Sequence, residues 1–491
     1  MIEKVKHKGL ALALLATAQF MVILDATIVN VALPAIQHTL GFTSAADLQW
    51  VVTAYALVFG GFLLLGGRLA DLFGRRKMLL VGTGIFAIAS LLGGLAQDPT
   101  QLIVFRALQG LGGALLSPAA LSLVLTIFKE GPERNKALGI WGMVAGGGGA
   151  LGLVLGGLLT QYVDWRWTFF INVPIGIAVL LLAPKYLPAS LPTSKQKVDY
   201  TGALTITGGL IAAVYAFELV PKHGWGSAEV IWTFVLAAVL LAAFYINERV
   251  VKHPLIDLSI FKRRNVTGGT LMQVLLPAAM FSMFFYLSIY LQGMLHYTPT
   301  QTGIANLPFT AVVILIAGVL SSKVTKIKIK PFLIAAPLLV SAGLLWLSRL
   351  PLDSNYWFDL LPGIVLMASG MAITFVLVTV IATSGVSHKE SGLVSGLLNT
   401  AQQIGGAIGL AVLSVISTQA TNDKMAAAHG NPAVLPEAMV HGFQQGFLAA
   451  IGFALAASIV AIVVLKNRKA GKDEGDRLES EAESMAAIPG I

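Results

Sequence analysis

Fourteen apolar runs, each near the ~20 residues that an α-helix needs to cross a bilayer, set the terms on which this chain can fold. They lie at roughly 10–33, 49–67, 79–96, 101–125, 137–161, 169–187, 200–219, 229–247, 267–293, 303–322, 332–348, 360–383, 392–418 and 443–465. Hydrocarbon offers backbone N–H and C=O groups no partner, so such segments must satisfy their hydrogen bonds internally as helices. The chain therefore reads as an all-α integral membrane protein with 14 transmembrane helices. Composition agrees, because only 12% of its 491 residues are charged, against about 25% in soluble domains.

An even number of crossings places both termini on one side. Of the 33 Lys and Arg residues, only Arg166, Lys222, Arg349 and Lys424 fall in one set of alternate loops, and Arg106 falls inside a span; the rest sit in the tails and the other loops. By the positive-inside rule the termini are expected in the cytoplasm, and the expected location is a bacterial plasma membrane. The net charge of +9 is spread over short loops, so nucleic acid is not the implied partner. The run from Gly9 to Leu33 is longer than a signal-peptide core and reads as the first transmembrane helix. Cysteine is absent, which excludes disulfides, thiolate metal sites and a catalytic thiol.

One internal repeat is legible. GRLADLFGRRK (Gly67 to Lys77) follows helix 2, and GVLSSKVTKIK (Gly318 to Lys328) closes helix 10. If helix 10 is the counterpart of helix 2, residues 1–187 and 266–465 form two six-helix bundles, and 188–265 carry helices 7 and 8 as an inserted pair. Facing bundles of this kind place a substrate site near the midplane. The tail, 466–491, is polar and mixed in charge, with too few apolar residues to pack.

Away from the span ends, two charges stand out. Asp25 in helix 1 and Arg106 in helix 4 lie roughly 12 and 8 Å below the same side of the membrane at 1.5 Å per residue, so they can meet. Intramembrane ionisable groups are costly and usually pair, face a cavity or relay protons. Desolvation favours the neutral acid and a guanidinium favours the anion, which suits a carboxylate that binds and releases a proton; a static pair locking two helices is the alternative.

Other candidates are structural or uncharged. In GRLADLFGRRK, Gly67 and Gly74 permit tight turns or close approach, Asp71 can cap a helix or pair with a cation, and Arg75 and Arg76 favour the cytoplasmic interface, together suggesting a gate; a positive-inside anchor without a gate function is the alternative. Gly142, Gly146, Gly149, Gly152 and Gly156 make a stripe along one face of helix 5, suited to close packing or sliding. Asn30, Gln109, Gln292, Asn399, Gln402 and Gln403 are candidate polar groups of a cavity, or interhelical hydrogen-bonding residues; Tyr55, Phe59, Phe281, Phe285 and Tyr290 are candidate aromatic walls. No metal or catalytic constellation is present in the sequence, and the GGGG run sits inside an apolar span without the Lys-Ser/Thr of a nucleotide loop. No cofactor is expected, and a proton gradient is the expected energy source.

These residues together resemble the fourteen-helix drug:proton antiporter branch of the major facilitator superfamily (EmrB/QacA type). LDATIVNVALP (Leu24 to Pro34) resembles that branch's helix 1 motif, GRLADLFGRRK the cytoplasmic signature, RALQGLGGA (Arg106 to Ala114) the helix 4 motif, DWRWTFFINVPIG (Asp164 to Gly176) the approach to helix 6, and GLLNTAQQIGGAIG (Gly396 to Gly409) the helix 13 segment. Gly149 and Leu153 stand where the helix 5 motif usually carries prolines, and Gln402 where related sequences often have Arg. The resemblance implies two bundles rocking about a central cavity, with Asp25 carrying the coupling proton or contacting a cationic substrate, Arg106 assisting proton movement, and Asp71 with Arg75 holding the cytoplasmic gate. The expected function is proton-coupled export of amphipathic small molecules by a monomer that is not an enzyme. Export or facilitated passage of a single lipid, antibiotic or metabolite, and a non-transporting receptor, are the alternatives.

Overall fold

A computed structural model describes residues 7–128, 132–189, 199–323, 327–384, 386 and 388–466, and each apolar run is a helix in it. The fourteen long helices are α1 (Lys8–Leu40), α2 (Ala45–Phe73), α3 (Arg75–Gly94), α4 (Pro99–Ile127), α5 (Pro132–Tyr162), α6 (Trp167–Tyr186, broken at Ile171), α7 (Tyr200–His223), α8 (Ala228–Val250), α9 (Arg264–Gly293), α10 (Pro299–Lys323), α11 (Ile329–Leu347), α12 (Leu361–Thr383), α13 (His388–Ala427) and α14 (Leu435–Val463). Among the described residues thirteen are long and apolar enough to cross a membrane, α5 being the other. Several outrun their apolar stretch, α13 reaching 40 residues, because helices continue past the hydrocarbon until a cap or a turn stops them. Thus Ser44 accepts a hydrogen bond from Asp47 N and opens α2, Asp98 opens α4 ahead of Pro99, and Gly41 closes α1 in the left-handed region at φ 73°, where a side chain would be strained. Residues 467–491 lie outside the described residues.

Helices α1–α6 pack among themselves, as do α9–α14. The two groups meet along three seams, α1 with α9, α2 with α13, and α5 with α10. If α9–α14 repeat α1–α6, these seams are helix one against its own counterpart and helix two against the counterpart of helix five, twice. That is the pattern of a two-fold axis, and it leaves α7 and α8 over. These two pack on each other, and α7 leans on α2 and α13. Trp50 of α2 donates its indole N–H to Glu218 of α7, and Lys222 bridges Asp47 at 2.7 Å and Glu218 at 3.2 Å. The outward side of α8 shows Trp232, Leu236, Val239 and Ile246 exposed, the surface a bilayer would cover.

The face that carries the chain ends is identified by contacts. Arg264, which opens α9, donates to Val464 O at 3.1 Å, and Asn265 Oδ1 accepts from Lys466 N at 2.8 Å. Helix α1 runs in the same sense as α9, Asn30 and Val31 meeting Ser288 and Gln292, so Lys8, which pairs with Glu133 at the start of α5 at 2.6 Å, lies on that face too. We call it the terminal face.

Within the first bundle α2 and α4 touch backbone to backbone. A β-carbon at Gly66 would sit 2.1 Å from Ala114 O, so only glycine fits. The sequence pointed instead at Gly67, where the nearest atom is Pro118 Cβ at 3.8 Å. Substituting Gly66→Ala is expected to lower the thermal midpoint in detergent through a strain of about 1–3 kcal/mol. Gly84→Ala, which meets nothing within 4 Å, should leave it unchanged or raise it, and equal losses at both positions would contradict the packing described.

Candidate functional site

Sequence spacing brought Asp25 and Arg106 to one depth, and the fold joins them. Arg106 Nη1 lies 2.5 Å from Asp25 Oδ2, and the two residues are 1% and 0% exposed. A buried charge persists only with its remaining hydrogen-bonding capacity largely met, and here neighbours meet most of it. Arg106 donates from Nε to Val51 O at 2.8 Å and from Nη1 to Gln109 Oε1 at 3.0 Å. Asp25 Oδ1 accepts from Gln109 Nε2 and from Asn172 Nδ2, each at 2.9 Å. Ser90 Oγ closes the circuit, accepting from the same two amides at 2.6 and 3.0 Å. Five elements, α1, α2, α3, α4 and α6, thus converge on one polar network, in which α4 and α6 reach the carboxylate directly. Tyr55 lies over the guanidinium, with Cζ 4.4 Å from its ring centre, and Phe169 lies at 5.8 Å; such contacts gain strength in a desolvated site.

Beside this network is a cavity of about 1120 Å³. One wall is α1, with Val22, Ile23, Ala26, Thr27 and Asn30; Tyr55 and Phe59 of α2 add aromatic surface, as do Phe281 and Phe284 of α9; Asn399, Gln402 and Gln403 of α13 add amides. Arg106 lines the cavity and Asp25 does not. The expected direct contact between Asp25 and a substrate is therefore corrected: the acid stands behind Arg106, because α1 turns residue 25 toward α4 and α6 while residues 22, 23 and 26 face the space. At mid-depth, Arg106 is the charged group of the lining among the described residues.

The cavity runs toward the terminal face, where Gly67, Arg68, Asp71, Arg134 and Leu393 line it. The opposite side is sealed. Ser288 donates to Asn30 O at 2.6 Å and Gln292 to Val31 O at 2.9 Å, joining α9 to α1. Gly157 and Gly303 bring α5 and α10 into backbone contact, and Thr300 N donates to Gln161 Oε1 at 3.2 Å. Gln292 is thus part of the seal and not of the cavity, while Gln109 belongs to the Asp25 network. Phe285 and Tyr290 are also absent from the lining; both are buried, and Tyr290 donates to Pro351 O at 2.6 Å.

The motif after α2 is a set of ties inside the first bundle. Asp71 and Arg75 pair at 3.4 Å. Arg75 also donates to Ser122 O at 3.3 Å and to the Thr126 hydroxyl on α4, and Arg76 donates to Leu187 O at 3.0 Å after α6. Gly74, at φ 96°, makes the turn that a side chain would strain. Helix 5's stripe packs on α1, where a β-carbon at Gly152 would meet Thr27 and one at Gly156 would lie 2.5 Å from Ile28 O, whereas Gly149 has room. The surroundings of positions 142 and 146 lie outside the described residues. Ser90 and Asn172 were missed from sequence. A serine in an apolar helix carries no distinguishing signal, but Asn172, an amide amid TFFINVPIG, was open to notice.

A family model described as Major Facilitator Superfamily matches residues 15–410. The puromycin resistance protein pur8 of Streptomyces alboniger is 40% identical over 468 residues, covering 94% of this chain and 92% of its own length. The cephamycin export protein CmcT of Amycolatopsis lactamdurans is 37% identical over 459 residues, 92% of each chain. The tetracenomycin C resistance and export protein of Streptomyces glaucescens is 34% identical over 414 residues, 83% of this chain and 76% of that one. Among solved structures, a bacterial homologue of the human lysosomal transporter Spinster superposes with a TM-score of 0.65 at 16% identity, covering 93% of this chain and 97% of that one, a likeness of fold.

Because the pair is buried, neutralising one partner strands the other. Asp25→Asn and Arg106→Gln alone are each expected to cost about 3–5 kcal/mol, read as a fall in thermal midpoint, and the double variant is expected to lose less than the two single losses together. Additive losses would contradict the coupling.

Proposed function

The chain belongs to the Major Facilitator Superfamily of transporters, and from that premise we propose that it exports amphipathic small molecules across the plasma membrane in exchange for protons. The observation that carries this reading is the position of Arg106, with one side on the buried carboxylate of Asp25 and the other on the cavity. In the proposed cycle, an ionised Asp25 neutralises Arg106, and the cavity wall at mid-depth has no net charge. A neutral or singly cationic amphiphile then settles among Tyr55, Phe59, Phe281 and the amides of α13. Protonation of Asp25 removes the countercharge and leaves the guanidinium uncompensated beside the substrate. Cations are repelled, and conformations in which the guanidinium gains water become favourable. By linkage, substrate and proton each weaken the other's binding, the sign that exchange requires.

Helix α1 connects this chemistry to access. It carries Asp25, six positions of the cavity wall, and, at Asn30 and Val31, the carbonyls that hold the seal to α9. In this reading the terminal face is cytoplasmic, as its Lys and Arg content suggests, and the conformation described is inward-open. Asp71, Arg75 and Arg76 brace the first bundle for rocking as a unit, and no cofactor takes part. The named relatives each carry one antibiotic in their names, which favours, as a second reading within the same mechanism, a narrow range of related compounds.

Proteoliposomes with an imposed pH gradient and an enclosed pH dye test this. Adding puromycin or tetracenomycin C is expected to evoke proton movement for at least one compound with the wild type and none above background with Asp25→Asn. Substrate flux without proton movement in either protein would recast the chain as a facilitator.

A further inference from the structure

At the terminal face, α7, α8 and the segment leading to α9 meet around two carboxylates that the proposed cycle does not use. Asp199 caps α7, accepting from Gly202 N at Oδ1 (2.8 Å) and from Asn247 Nδ2 at Oδ2 (2.5 Å). Glu248, in the last turn of α8, accepts from Ile256 N at Oε2 (2.8 Å). Its Oε1 is buried and has no hydrogen-bond partner. The two residues are 6% and 5% exposed. Their remaining edges converge on Gly202, where a β-carbon would sit 2.5 Å from Asp199 Oδ2 and 2.7 Å from Glu248 Oε1.

Two carboxylates this close and this dry cannot both ionise without a cation between them. Among the described residues no Lys, Arg or His forms an ion pair with either. On α8, Arg249 lies over the Tyr245 ring at 4.5 Å. On α2, Arg68 donates to Pro254 O at 3.4 Å and Asp71 pairs with Arg75. On the connecting segment, Asp257 accepts from Ser259 N, and Lys252 and His253 pair with neither acid; Tyr200 of α7 is exposed. Lys195 and Lys197 lie outside the described residues. What the cluster lacks is a single donor at Glu248 Oε1, and a proton is the smallest ligand that supplies it.

We infer that Asp199 and Glu248 hold one shared proton, forming a second proton-binding site outside the cavity. The site is connected to transport by the segment it holds. Glu248 anchors Ile256 N, the adjacent Leu255 lines the cavity, and Arg68, another lining residue, holds Pro254 O. With the proton bound, this segment is pinned at the cavity mouth. Loss of the proton places two negative charges side by side, and their repulsion moves Glu248, with the segment it still holds at Ile256 N, away from Asp199. The site is therefore a pH sensor on the terminal face, separate from Asp25, and it does not depend on what the cavity carries.

The test is made on the full chain in lipid nanodiscs and involves no transport. Infrared difference spectroscopy of wild type against Glu248→Gln is expected to show the carbonyl band of a protonated carboxylic acid near neutral pH, present only in the wild type and titrating away as pH rises. The absence of native cysteine allows spin labels at Tyr200→Cys and Lys252→Cys, whose distance distribution should broaden over the same pH range. This second measurement stands even where Glu248→Gln fails to fold. A band missing from the wild type, one unaffected by Glu248→Gln, one that appears only after divalent cations are chelated, or label distances fixed across pH would each overturn the inference.

Discussion

One ion pair organises the first bundle. A carboxylate and a guanidinium in a membrane interior each carry a desolvation cost that only the other, with well-placed donors and acceptors, can offset. Asp25 and Arg106 meet that requirement by drawing in Val51 O, Gln109, Ser90 and Asn172, so helices α1, α2, α3, α4 and α6 share a single polar centre. In the proposed cycle the same interdependence makes the centre responsive. Adding one proton to Asp25 upsets every bond that depends on its charge, and Arg106 is the member that also borders the cavity.

In the proposed cycle, packing transmits that change. In hydrocarbon there is no hydrophobic drive between helices, so close contact depends on small residues that let backbones approach. Helix α1 rests on Gly152 and Gly156 of α5, and α5 in turn meets α10 through Gly157 and Gly303. The seam that closes the cavity opposite the terminal face is thus built largely of backbone surfaces and a few hydrogen bonds to main-chain carbonyls. Contacts of this kind can separate without leaving charges unpaired, whereas the ion pair lies inside the first bundle, between α1 and α4.

The fourteen helices and the common depth of Asp25 and Arg106 were legible in the sequence, because hydropathy and helical rise depend little on packing. Which way a side chain turns was less so. Asp25 and Ala26 are neighbours on α1, yet one faces the bundle and the other the cavity; helical phase is readable from sequence, but the direction of the cavity is not. Gln292 and Gln402 look alike as amides in apolar helices, and tertiary contacts alone send the first to the seal and the second to the cavity. Asp199 and Glu248 lay near predicted helix ends, where charges are ordinary, and only the fold shows that they are dry and face each other.

The central claim is that the proton displaced by substrate leaves from Asp25. Its most direct test is proton release in weakly buffered detergent solution, without a membrane or a gradient, when a transported compound is added to the purified protein. The account predicts release from the wild type that saturates with binding and disappears in Asp25→Asn, which, like the protonated acid, binds a cationic compound more weakly but measurably. Undiminished release from an Asp25→Asn protein that still binds the compound would contradict it and move the coupling site elsewhere in the chain.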